Sequence, residues 1–98
     1  MTRQELLKKL AVIYFDSDNH STTGYTCVIR QHLYFKWLAW DTEGTWNDPI
    51  PKKVKFVCKF PLKDIRVVFN ELGLIVTHYT NEYGKSIVYF KPISHSTT

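Results

Sequence analysis

The feature that most constrains this chain is the strict alternation Lys53-Val54-Lys55-Phe56-Val57-Cys58-Lys59-Phe60. Successive side chains of an extended backbone point to opposite faces, so Val54, Phe56, Cys58 and Phe60 fall on one side and Lys53, Lys55, Val57 and Lys59 on the other. One face of this strand belongs in a core and the other is basic. Pro61 then opens a helix over 61–72, in which Leu62, Ile65, Phe69 and Leu72 form one apolar stripe with Val68 beside it, and Gly73 supplies the stop. Leu74 to Thr80 and Lys85 to Pro92 are β-branched and aromatic runs. Asn81-Glu82-Tyr83-Gly84 between them reads as a four-residue hairpin loop.

Upstream, Thr2-Arg3-Gln4-Glu5 has the spacing of a capping box, and Leu6, Leu7, Leu10, Ile13 and Tyr14 continue it as the apolar stripe of a helix. Asp16 to Gly24 is a run of turn formers that ends this helix. From Tyr25 to Asp41 the pattern changes to a period of two. Cys27, Ile29, Leu33, Phe35, Trp37 and Ala39 share one parity, and Arg30, His32, Tyr34, Lys36 and Trp40 share the other, which predicts half-buried strand. The segment is longer than an ordinary strand, so a bend is expected near Arg30-Gln31-His32; a helix over Val28 to Trp40 is the competing reading. Asp41 to Pro51 carries Gly44, Pro49 and Pro51 and reads as a loop. The predicted order is α-β-β-β-α-β-β: a single small α+β domain with a mainly antiparallel sheet of four or five strands and two helices on one face. At 98 residues the chain is one domain, with residues 93–98 read as a tail.

Hydrophobic residues make up 44% and aromatics 15%, against 22% charged, which excludes wholesale disorder and a coiled coil. No apolar run reaches the roughly 18 residues that span a bilayer, and Met1 to Leu10 has no secretory signal pattern, so a cytoplasmic protein without a membrane partner is expected. Cys27 and Cys58 each lie in an apolar, β-branched neighbourhood and read as free buried thiols, although pairing across adjacent strands stays open.

The net charge of +4 favours an acidic partner. Six of the cations, Lys52, Lys53, Lys55, Lys59, Lys63 and Arg66, fall between residues 52 and 66 against the single Asp64. With the apolar parities of 25–41 and 53–60 both facing the helices, the opposite sheet face would carry Arg30, His32, Tyr34, Lys36 and Trp40 beside Lys53, Lys55 and Lys59. Cations interleaved with aromatics on a sheet are of the physical type on which single-stranded bases stack while lysines follow the backbone. An RNA-recognition motif needs glycines on its central strand, and 53–60 has none. Helix 61–72 and its hairpin resemble the recognition helix and wing of winged-helix DNA binders, with Lys63, Arg66 and Asn70 on the exposed side. The strand 53–60, however, occupies the place where that fold needs another helix.

Asp16, Asp18 and His20 alternate like hard metal ligands, but Ser21 and Cys27 stand where an EF-hand loop needs Gly and Glu, and no histidine or cysteine pair has zinc-site spacing. A metal or other cofactor is therefore not expected. A small toxin-type RNase would draw on His20 or His32 as general acid or base, and no spacing singles out either. The expectation is a non-enzymatic module that acts by occupancy. Its ligand would be a nucleic acid, single-stranded by preference, or a nucleic-acid-handling protein complex, contacted by Arg30, Lys36, Lys53, Lys55 and Lys59 with Tyr34 and Trp40 stacking. The alternative is a protein-binding inhibitor or adaptor, of the kind mobile elements encode, docking through Trp46 and the acidic loop residues Asp41, Glu43 and Asp48.

Overall fold

The computed structural model describes residues 2–16, 25–42 and 49–93. The first helix, α1 (Arg3–Asp16), begins at the capping box that the sequence announces. The Glu5 amide donates to Thr2 Oγ1 at 3.3 Å and the Thr2 amide to Glu5 Oε1 at 3.1 Å, so two amides with no partner in the helix are satisfied reciprocally. Leu6, Leu7 and Leu10 are buried on one side, and Val12 and Phe15 are exposed on the other. An isolated bridge between Thr2 and Pro49, with Arg3 Nε donating to the Pro49 carbonyl at 3.3 Å, ties the helix start to the chain beyond the second helix.

That second helix, α2 (Thr26–Thr42), replaces the strands expected over 25–41. Ile29, Leu33 and Trp37 are four residues apart, a spacing that satisfies a period of two and a helical repeat equally. Burial tells the two apart. Thr26, Ile29, Arg30, Leu33 and Trp37 are buried, whereas Cys27 and Phe35, which share the strand parity of Ile29, are exposed. The absence of Gly or Pro from Tyr25 to Thr42 lets seventeen consecutive residues take helical geometry. The competing helical reading is the one that holds.

The alternation at 53–60 survives for only half its length. Strand β1 is Lys53–Lys55, Val54 and Phe56 stay buried, and the chain then leaves the ladder so that Cys58 is exposed while Phe60 returns to the core. Helix α3 (Leu62–Glu71) follows, buries Ile65, Val68 and Phe69, and ends at Gly73, whose φ of 77° is the left-handed conformation expected just past a helix. Strands β2 (Leu74–Glu82) and β3 (Lys85–Pro92) form the hairpin. Its loop is two residues rather than four: Glu82 pairs with Lys85, and Tyr83 and Gly84 both have positive φ, 54° and 76°, as a tight turn matched to strand twist requires.

All pairing is antiparallel in the order β1-β3-β2. The described residues thus form a small α+β structure with three helices and a three-stranded antiparallel sheet, and the two helices and four or five strands expected are not found among them. Val54, Leu74, Val88 and Phe90 point from the sheet into a core completed by Leu6 and Leu10 of α1, Ile29, Leu33 and Trp37 of α2, and Ile65, Val68, Phe69 and Leu72 of α3 and its end. At its centre the rings of Trp37, Phe69 and Phe90 meet with centroids 5.1 to 6.4 Å apart, joining α2, α3 and β3. Ser86 holds the irregular stretch between β1 and α3. Its buried hydroxyl accepts the Phe60 amide at 2.9 Å, its amide donates to the Cys58 carbonyl at 3.2 Å, and the Tyr79 hydroxyl donates to the Phe60 carbonyl at 2.8 Å. No described helix is long and apolar enough to cross a membrane.

Candidate nucleic-acid interface

The helices cover one face of the sheet, and alternation dictates what is left on the other. Because Val54, Val88 and Phe90 point inward, alternation turns their neighbours Lys53, Lys55, Ile87, Tyr89 and Lys91 to the other face, where the lysines are exposed, Tyr89 is half-buried and Ile87, in the central strand, is buried. On β2 the bulge between Val76 and His78 shifts the register by one residue. Beyond it, His78, Thr80 and Glu82 stand opposite Tyr89, Ile87 and Lys85.

The central row of this outer face runs Lys53, Tyr89, His78 across all three strands. Lys53 Nζ sits 5.8 Å from the centre of the Tyr89 ring, within cation–π range, and the His78 ring lies 5.5 Å away on the other side. Lys55, Lys85 and Lys91 stand exposed around the row, and Glu82 is the one carboxylate among the strand residues on this face. Among the described residues no helix packs here.

The structure divides the residues singled out from the sequence. Lys53 and Lys55 lie on the outer face, and Lys59 is exposed in the segment between β1 and α3. Arg30, Tyr34 and Lys36 belong to α2 and so do not join them. Arg30 is buried and forks onto Glu71 at the end of α3, Nε to Oε1 at 3.0 Å and Nη2 to Oε2 at 2.5 Å, while its Nη1 is buried without a partner. Its role is to tie α2 to α3. Tyr34 stacks on Tyr14 of α1 at 4.8 Å and 12°, with Phe15 and Phe35 edge-on beside it. Lys36 is exposed on α2. Trp40 and Asp41 are placed by their backbone alone, in the last turns of α2. Glu43, Trp46 and Asp48, with Asp18 and His20, lie outside the described residues.

His32 packs against Phe56 with ring centroids 5.1 Å apart, and its Nε2 accepts the Val57 amide at 3.4 Å. Burial, and then the nearby Lys36 ammonium, push its pKa below the usual histidine value. Cys27 and Cys58, expected to be buried, are exposed and unpaired. Among the described residues no three His, Cys, Asp or Glu side chains converge as a metal site.

The set expected from the sequence does not include Lys85, Tyr89 and Lys91; the sequence shows that they share one face of their strand, and only the strand order shows that this face continues that of Lys53 and Lys55. Lys85, Ile87, Tyr89 and Lys91 alternate with Ser86, Val88 and Phe90 as regularly as residues 53–56 do. No protein family, curated protein or solved structure matches the chain.

Proposed function

We propose that this protein is a non-enzymatic module that acts by occupancy, and that its ligand is a nucleic acid, single-stranded by preference, held on the outer face of the sheet. The row Lys53, Tyr89, His78, ringed by Lys55, Lys85 and Lys91, supports this reading. An aromatic ring on an open sheet offers a base a stacking partner worth about 1 to 3 kcal/mol, and surrounding ammonium groups neutralise phosphates. The preference for single strands follows from shape. A duplex keeps its base faces stacked and is read through its grooves by an inserted helix or ribbon, whereas an unpaired base can lie on the ring.

Amide chemical-shift mapping with an oligothymidylate of about ten nucleotides tests the assignment. The expected result is a set of shifts confined to Lys53, Lys55, His78, Ile87, Tyr89 and Lys91, lost in Tyr89→Ala. Shifts centred on α1 and α2, or none at all, would overturn it.

A further inference from the structure

A second surface lies at the opposite edge of the sheet from β1. The exposed side of α3 and the start of β2 enclose a groove of about 480 Å³ lined by Arg66, Val67, Asn70, Leu74, Ile75 and Val76. β2 is an edge strand, bonded to β3 on one side and to no described strand on the other.

The ladder shows which main-chain groups face that edge. The Ile93 amide donates to the Gly73 carbonyl at 3.0 Å, and Leu74 stands opposite Pro92, which has no N–H. Hydrogen-bonded and non-bonded pairs alternate in an antiparallel ladder. Ile75 therefore turns its N–H and C=O towards Lys91, and Leu74 and Val76 turn theirs away from the sheet, to the side where the groove lies. Another extended chain supplies donors and acceptors at that two-residue spacing, which a nucleic acid or a small anion does not.

The helix wall supplies the selectivity. Arg66 is exposed, the described ion pair belongs to Arg30 and Glu71, and no carboxylate is among the residues lining the groove, so no described carboxylate compensates the Arg66 charge. Arg66 and Asn70 are one helical turn apart, about 6 Å along the axis. Alternate side chains on one face of a strand are about 6.7 Å apart. An added strand running alongside α3 would present two such side chains at close to the spacing of its two polar positions.

We infer that β2 and α3 accept an extended peptide as a fourth strand, with an aspartate or glutamate of the peptide facing Arg66 and the residue two positions away facing Asn70. This site is independent of the outer face and would be occupied by a protein partner.

A random library of peptides of about eight residues, panned on the intact protein, tests the inference. The enriched peptides are expected to share one acidic position, to bind Arg66→Glu at least about tenfold more weakly, and to lose binding when their alternate main-chain amides are N-methylated. Binding to a Lys53→Gln, Lys55→Gln protein is expected to be unchanged. Arg66 is exposed, so its replacement leaves the core intact. Failure to enrich any peptide, full affinity for Arg66→Glu, or indifference to N-methylation would each overturn the inference.

Discussion

The two faces of the sheet are built from adjacent residues and do opposite things. Val88 and Phe90 are at most 4% exposed beneath the helices, while Tyr89 between them stands on the open side with Lys53 over its ring. A chain of this length has enough apolar residues for about one core, and the described helices pack on one face of the sheet, while Lys53, Lys55, Lys85 and Lys91 stand exposed on the other. Under the proposed function, stability and binding would be carried by separate residues on the same three strands. The inner face must be dry and close-packed; the outer face is free to hold charge.

Truncating neighbouring residues on β3 separates the two faces most strongly. Phe90→Ala removes a ring that meets Trp37 and Phe69 and is expected to cost about 3 to 5 kcal/mol in denaturant unfolding, without altering the ligand face. Tyr89→Ala is expected to cost about 1 kcal/mol or less and to abolish oligonucleotide binding. Equal losses of stability from the two would mean that the outer face is also core.

The ion pair between α2 and α3 gives the next largest effect. Glu71→Ala leaves the Arg30 guanidinium buried without its carboxylate and is expected to cost about 2 to 3 kcal/mol by the same measurement. Arg30→Met, which keeps the stem and removes the charge, is expected to cost less than Glu71→Ala. The reverse order would show that Arg30 is held by something other than Glu71. Ser86→Ala takes the acceptor from the Phe60 amide and is expected to lose about 1 to 3 kcal/mol, with hydrogen exchange fastest to increase at Phe60.

The smallest effect is a pH dependence on the helix side. The pKa of His32 is lower in the folded protein than in the unfolded chain, because burial and then Lys36 disfavour the imidazolium. The unfolded state therefore binds more protons as pH falls through the ordinary histidine range near 6.5. Stability present above that range is lost below it, until the folded protein titrates as well. Melting temperatures at neutral and mildly acidic pH are expected to differ less in His32→Gln than in the parent, and an unchanged difference would remove His32 as the cause.

Local signals were legible wherever they were chemically exclusive. The Thr2–Glu5 capping box, the α3 stripe ending at Gly73, and the hairpin runs all form as the sequence announces. The spacing of Ile29, Leu33 and Trp37 was not exclusive, since steps of four fit strand and helix alike, and only tertiary contacts decide between them. The deciding partner, Glu71 for Arg30, is far away in sequence, so no local pattern marks Arg30 as buried. Lys53 and Lys55 of the candidate site followed from alternation. Their companions Lys85, Tyr89 and Lys91 required knowing that β3 lies beside β1, with β2 beyond it, which no local pattern states.

The claim that the outer face holds a single strand through its lysines is tested most directly by the salt dependence of oligothymidylate affinity, followed by fluorescence anisotropy. Four phosphates neutralised by Lys53, Lys55, Lys85 and Lys91 give an expected slope of about −2.8 in log affinity against log salt, and the Lys53→Gln, Lys55→Gln protein one of about −1.4. An affinity insensitive to salt, or a slope that these two substitutions leave unchanged, would contradict the account.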